Sequence, residues 1–346
     1  MQLPGFFQVK QIDMIWIIFL IAALAVLISG QKLTRAGDEL AEVTGMSRGF
    51  VGVILLGFVT SLPEMVSTLS ATVFVNAPDL ALGNIFGSNA ANLAILGLLD
   101  LIIVKKVQEE RHRLDPENQL TAYLSLMIIS LALMGLASRG FWQILHIDLF
   151  SVFIATTYII GLQKLHKFQT AATTDCTNNI ESPETDQKII PPKLKRSLLI
   201  NAGVIVAASM ALASSAEHIA EITGWGTTFV GNSLLAIATS LPEIVVTFSA
   251  VKIGSFAMAA GNIFGSNLFN IAILALADLC FFRSSIFAAA SPSQSLIAAI
   301  GLFMSGLYLF SGLYGSQRKL AGRWPVDSLL VVGVYLFSLY ALFAIR

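Results

Sequence analysis

Two glutamates of this chain stand where a charge is costly. Glu64 is the lone charged residue between Phe50 and Asp79, and Glu243 the lone one between Glu221 and Lys252. Both fall near the middle of long apolar runs. A carboxylate at the centre of a membrane helix costs about 2.5–3.5 kcal/mol on insertion scales and marks a functional site by default. Oxygen surrounds each one in the sequence. Thr60 lies four residues before Glu64, on the same helix face, with Ser61 beside it; Thr239, Ser240 and Glu243 repeat the arrangement. Pro63 and Pro242 have no N–H, so the carbonyls of Val59 and Ala238 lose their intrahelical partner and become ready ligands where they line a cavity. Ser88 and Asn92 are again four apart, as are Ser266 and Asn270. Hydroxyl, carboxylate, amide and carbonyl oxygens together suit a hard cation: Ca2+, which takes about six to eight oxygens, or Na+. Zn2+ or Cu+ would ask for His or Cys. The four histidines, His112, His146, His166 and His218, fall at loops or span ends, and no HExxH is present. Two ionised glutamates give the site a charge of about −2, which is costly to close inside a membrane unless cations neutralise it. One Ca2+, or at least two monovalent cations, would do so, which is a physical basis for exchange rather than leak.

Membrane helices must carry this site. Hydrophobic residues make up 55% of the 346 positions and charged residues only 12%, half the proportion of ordinary soluble domains. The apolar runs are Met14–Gly30, Phe50–Val75, Leu80–Val104, Leu120–Ala137 and a weaker Ile144–Leu162. Ser197–Ala216, Phe229–Val251, Phe256–Phe282, Leu296–Leu313 and Val326–Ile345 follow after a polar stretch. A span needs about 20 apolar residues, so the expected fold is an all-α integral membrane protein of ten transmembrane helices. Only Lys10 precedes the first run, Asp13 abuts it and no cleavage pattern follows, so a cleaved signal peptide is not expected. The formal charge of zero offers no nucleic-acid footprint. Cys176 and Cys280 have neither disulfide nor metal spacing, and no cofactor or protein partner is implied. Of the 21 Lys and Arg, only Lys10, Arg139, Arg283 and Arg346 fall at the termini or in even-numbered loops. The positive-inside rule then places the odd loops in the cytoplasm and both termini outside a plasma (inner) membrane. Lys32, Arg35, Arg48, Lys105, Lys106, Arg111, Arg113, Lys164, Lys167, Lys188, Lys193, Lys195, Arg196, Arg318, Lys319 and Arg323 are among the cytoplasmic set.

The chain also repeats itself. Between Leu165 and Pro192 it turns polar, the composition of a flexible linker, and the same text stands on either side. Ala41-Glu42-Val43-Thr44-Gly45 returns as Ala220-Glu221-Ile222-Thr223-Gly224, and Thr60-Ser61-Leu62-Pro63-Glu64 as Thr239-Ser240-Leu241-Pro242-Glu243, both at an offset of 179. Gly83-Asn84-Ile85-Phe86-Gly87-Ser88-Asn89 returns as Gly261-Asn262-Ile263-Phe264-Gly265-Ser266-Asn267, Asn92 as Asn270 and Asp100 as Asp278. The glycine pairs have the small-xxx-small spacing of close helix packing. The reading is a first repeat over 1–164, a cytoplasmic linker over 165–195 and a second repeat over 196–346. With five spans in each half, the second copy enters the membrane from the other side, and inverted repeats place substrate near the midplane on interrupted helices. Asp100 and Asp278, at opposite membrane faces, read as plain interfacial residues in preference to vestibule acids that attract cations, and Asp38 and Glu217 as solvated span ends.

GFVTSLPE…GNIFGSNAAN and AIATSLPE…GNIFGSNLFN resemble the paired alpha-repeats of the sodium/calcium exchangers and their prokaryotic relatives, in the Ca2+/cation antiporter superfamily. The resemblance covers essentially the whole chain. It implies a secondary active antiporter that exchanges Ca2+ for Na+, with Glu64 and Glu243 as central ligands. It further implies Thr60, Thr239, Ser88 and Ser266 as Na+-site or carbonyl ligands, Gly57 and Ala236 as positions whose backbone carbonyls bind Na+, and Ser61, Ser240, Asn92 and Asn270 as the rest of the polar cluster. Asn270 departs from relatives that carry Asp there, including the potassium-dependent exchangers, which speaks against K+ dependence. Ca2+/H+ exchange through Glu64 and Glu243 is the alternative within this class. A cation channel also uses acids and carbonyls, but an internal inverted repeat favours alternating access. An enzyme would need a nucleophile–base or metal set that the chain does not offer.

Overall fold

The computed structural model describes residues 5–102, 115–177, 190–223, 229–314, 319–320 and 324–344, and nearly all of them are helical. Helix α1 spans Gly5–Thr44 and ends on Gly45, whose φ of 75° is the left-handed conformation glycine adopts freely. Ser47 starts the next span by accepting a hydrogen bond from Phe50 N at 3.0 Å. That span is segmented: α2 (Arg48–Val51), a π-helical turn (Gly52–Leu56), α3 (Gly57–Thr60), α4 (Leu62–Ser70) and a second π-helical turn (Ala71–Val75). It closes at left-handed Asn76. Pro63 sits in the first turn of α4, where a missing N–H costs nothing, so the chain breaks at Ser61 (φ −92°, ψ 2°) rather than bending. Then come α5 (Pro78–Ile102), α6 (Pro116–Ser138), a short antiparallel pair β1 (Gln143–Ile144) and β2 (Ile147–Asp148), and α7 (Leu149–Thr177). The second half holds α8 (Pro192–Ile222), α9 (Phe229–Lys252), α10 (Phe256–Cys280) and α11 (Pro292–Tyr314), then β3 (Lys319–Leu320), β4 (Trp324–Pro325) and α12 (Val326–Ala344). Among the described residues, eight helices are long and apolar enough to cross a membrane.

Helix α10 is the hub. It packs against α2, the first π-helical turn, α3, α4, α5, α6, α7 and α9. Its counterpart α5 packs against α4, α9, α11 and α12, while α1 lies along α8. Glycine makes the tightest seam. A Cβ on Gly52 would stand 2.5 Å from Met258 O, and one on Gly57 would stand 2.7 Å from Ser266 N. From the other side, Gly261 and Gly265 leave the same lack of room against the backbone of Gly49 and Val53. Bare backbone therefore brings α2, the first π-helical turn and α3 into direct contact with α10, as small-residue packing in membranes allows.

Several expectations need correction. Helix α1 runs through Lys32 and Arg35 to Thr44, where the sequence suggested a loop after Gly30. Its last turns are amphipathic: Leu33, Thr34 and Ala36 are buried while Lys32, Arg35 and Glu39 face outward, so an apolar run stops but the helix does not. Asp38 is not merely solvated, because Arg48 pairs with it and with Glu42; Glu217 is exposed as expected. The fifth helix begins at Leu149 rather than Ile144, since Gln143–Asp148 form the hairpin. Helix α7 also continues past Leu165 to Thr177. Pro242 lies inside one continuous helix, so the interruption seen at Ser61 has no equal in α9. Asp100 and Asp278 are fully buried rather than interfacial. Asp278 Oδ2 accepts from Asp148 N (2.7 Å) and Ser151 Oγ (2.6 Å), and Oδ1 from Ile286 N (2.7 Å). Asp100 accepts from Ser328 Oγ at 3.0 Å. Asp100 thus ties the end of α5 to the start of α12, and Asp278 ties the end of α10 to β2, to the start of the earlier helix α7 and to the loop that follows α10. Lys105, Lys106, Arg111, His112, Arg113, Lys188, Arg318, Arg323 and Arg346 lie outside the described residues, as does the side chain of Cys176.

Candidate cation site

The break at Ser61 separates α3 from α4, both of which pack against α10 and α8, and Thr60, Ser61 and Glu64 are all buried. Glu243, in mid-α9, is buried to the same degree, and its carboxylate lies within electrostatic reach of Glu64. The repeats interlock here. Thr60 Oγ1 lies 3.1 Å from Ser266 Oγ and 3.4 Å from Asn262 Oδ1. Ser266 Oγ donates to Gly57 O at 3.2 Å, and Ser61 N donates to the same carbonyl at 3.3 Å. The Gly57 carbonyl thus stands at the site but already holds donors, which the sequence did not anticipate. Ser88 and Ser240 are buried and Thr239 half-buried. Ala236 belongs to α9, and its side chain lies outside the described residues.

A second layer holds the first, and it nearly repeats across the two halves. Asn84 Nδ2 donates to Thr68 Oγ1 at 2.9 Å and to Ser67 Oγ at 3.0 Å, bracing α4 against α5. Asn262 Nδ2 donates to Thr247 Oγ1 at 3.0 Å, bracing α9 against α10. Where α5 meets α10, four asparagines cross. Asn89 Nδ2 donates to Asn267 O and Asn267 Nδ2 to Asn89 O, each at 3.2 Å. Asn92 Nδ2 donates to Asn267 Oδ1 and Asn270 Nδ2 to Asn89 Oδ1, each at 3.0 Å. Thr68, Asn84, Asn89, Thr247, Asn262 and Asn267 were not singled out as site residues from the sequence. The signal available in the sequence is their identity across the two repeats, Thr68 with Thr247, Asn84 with Asn262 and Asn89 with Asn267.

What the second layer leaves over is acceptors. Glu64 Oε2, both carboxylate oxygens of Glu243, Asn92 Oδ1, Asn270 Oδ1 and Ser61 Oγ are buried and meet no donor at bonding distance among the described residues. An unsatisfied buried acceptor costs about 1–3 kcal/mol, more when charged, so several on converging helices make a set that a hard cation would satisfy. The family model for "Sodium/calcium exchanger protein" matches residues 14–160 and 197–346. The chain belongs to the sodium/calcium exchanger family. Within this family, the chain is 28% identical over 258 residues to inner membrane protein YrbG of Escherichia coli (strain K12), covering 74% of this chain and 77% of that protein. It is 27% identical over 297 residues to the sodium/calcium exchanger MaX1 of Methanosarcina acetivorans, covering 76% and 83% of the two. A solved structure of the sodium-calcium exchanger NCX_Mj superposes with a TM-score of 0.73 at 20% identity, over 96% of this chain and 99% of that one, which shows a shared fold. The chain is accordingly a multi-pass membrane protein of an exchanger family, and the two matched blocks leave the polar segment between them unmatched.

Proposed function

We propose that this exchanger is a secondary active antiporter that moves Ca2+ against Na+ by alternating access, with one acidic site at the middle of two inverted five-helix repeats. The observation that carries the reading is the set of buried carboxylate and amide oxygens with no donor, supplied jointly by residues of the two repeats. The ten-span count adds α9 and α12 to the eight helices long and apolar enough to cross. Residues 1–164 and 196–346 would be the repeats and 165–195 the cytoplasmic linker, with both termini outside the inner membrane. Glu64, Glu243, Asn92 and Asn270 would hold Ca2+. Thr60, Ser61, Ser88, Thr239, Ser240, Ser266 and the carbonyls of Gly57 and Ala236 would complete Na+ sites. The hydroxyls favour Na+ over H+ as counter-ion: protons need no such ligands, whereas dehydrated Na+ needs several oxygens. MaX1 is named a sodium/calcium exchanger, which agrees.

The test is Ca2+ uptake into proteoliposomes, first under a Na+ gradient at clamped pH and then under a pH gradient without Na+. Uptake driven by Na+ is expected; uptake driven only by pH would make the protein a proton exchanger. Uptake that needs neither gradient would make it a channel. For orientation, an impermeant thiol reagent on intact cells should label a cysteine added at either terminus and spare Cys176; the reverse pattern would overturn the topology.

A further inference from the structure

We propose that Asn89 and Asn267 are positioning residues which decide that Asn270 and Asn92 turn oxygen, rather than –NH2, toward the cation, each acting on the opposite repeat. The inference rests on the reading of the site as a Ca2+ site. A side-chain amide has two ends of nearly equal shape, one an acceptor and the other a donor. An asparagine at a cation site is a ligand in one orientation and repels the ion in the other, so something must choose.

The chain of choices begins at a backbone atom. The carbonyl of Asn267 can only accept, so the end of Asn89 that reaches it at 3.2 Å must be Nδ2. Asn89 Oδ1 is then an acceptor, and the end of Asn270 lying 3.0 Å away must donate. That leaves Asn270 Oδ1 pointing away with no donor at bonding distance, fully buried. The same logic runs in the opposite direction from the Asn89 carbonyl through Asn267 to Asn92, whose Oδ1 is likewise buried and without a donor. Two backbone carbonyls in the interface of α5 with α10 therefore fix the polarity of two ligands. The control is crossed: the first repeat orients a ligand of the second, and the second a ligand of the first.

Asp in place of a ligand Asn carries no wrong end, and this gives the test. In the full chain, Asn89→Leu and Asn267→Leu keep most of the side-chain volume while removing the amide. Each should weaken equilibrium 45Ca2+ binding in detergent by about tenfold, which corresponds to about 1.4 kcal/mol, without changing expression or monodispersity. Asn270→Asp should restore Ca2+ binding in the Asn89→Leu chain more than in the Asn267→Leu chain. Asn92→Asp should do the reverse. The added carboxylate attracts Ca2+ in every background, so the difference between matched and mismatched pairs is the reading that counts. Equal rescue by matched and mismatched pairs, or no loss in the single variants, would overturn the proposal. A leucine variant that fails to fold both with and without its matched Asp would assign the residue to folding and overturn it too; Asn89→Ala and Asn267→Ala repeat the cycle with the smaller side chain. Wild-type protein that neither binds nor transports Ca2+ would sink the function proposed above before this question is reached. Wild-type binding without the crossed pattern sinks this inference alone.

Discussion

Among the buried acids of this molecule, Asp278 and the pair Glu64 and Glu243 are treated in opposite ways. Asp278, at the end of α10, is fully buried, and its oxygens receive three donors from β2, α7 and the loop after α10. Glu64 and Glu243 are as deeply buried, yet three of their four carboxylate oxygens meet no donor at bonding distance. Burial and residue class are the same; satisfaction is not. Where the fold uses a carboxylate for its own cohesion, it surrounds it with N–H and O–H groups. Where it leaves carboxylate oxygens without a donor at bonding distance, as on Glu64 and Glu243, they stand open to a partner from outside the chain. The contrast sets Asp278, held on both oxygens by the fold, against the two glutamates.

Substitution should pull the two groups apart. The largest effect is expected at the glutamates: Glu64→Gln or Glu243→Gln should reduce Ca2+ exchange in proteoliposomes to background. Thermal stability in detergent should be unchanged or raised, because a neutral amide replaces a desolvated charge. Substantial flux in either variant, at normal expression, would remove these residues from the set of indispensable ligands. Asp278→Asn should do the opposite. Whichever way its amide turns, an N–H meets an N–H or O–H donor, at a cost of about 1–3 kcal/mol. The midpoint of thermal unfolding should fall while exchange per folded molecule stays near wild type; lost exchange at full stability would erase the distinction.

Smaller effects test the rim of the site. Ser88→Ala and Ser266→Ala should weaken the Na+ dependence of uptake more than Ca2+ affinity, and equal losses would mean that these hydroxyls serve packing or a shared site. Ser266→Ala should also lower stability, because its hydroxyl bonds Gly57 O. The smallest effect concerns Asp148, beside Asp278 in the hairpin outside the spans. Burial pushes its carboxyl above the usual range; the hydrogen bonds from Phe150 N and Ser285 oppose this, and the neighbouring Asp278 adds to it. A raised acid binds more protons folded than unfolded, so its contribution is present below the ordinary carboxylate range and is lost as pH rises through the elevated value. Thermal scans from acid to neutral pH should show a steeper decline for wild type than for Asp148→Asn; parallel curves would refute the effect.

Much of this was legible beforehand. The glutamates announced themselves as lone charges in apolar runs, and Thr60 and Ser266, both named from the paired motifs, lie buried with their hydroxyls 3.1 Å apart. What escaped the sequence depended on partners far along the chain. Nothing near Asp278 predicts that Ser151 and Asp148 will close over it, so it read as interfacial. The amphipathic end of α1 defeated a search for apolar runs, because only half of its surface needs to be apolar against the core. The identical TSLPE text in both halves suggested equal breaks, yet only the first span is broken at Ser61 while α9 runs through its proline. Local sequence sets the tendency to break, and the surrounding contacts decide whether the tendency is realised.

The asparagine cross has a consequence for ancestry. Asn89 and Asn267 occupy equivalent positions, and each donates to the other's carbonyl at the same distance. A contact in which a residue meets its own equivalent is the mark of a two-fold axis between identical subunits. One half alone, carrying one such asparagine, would close the same contact with a second copy of itself across such an axis. Joining the copies in one chain would have freed the two positions to diverge, and neither has.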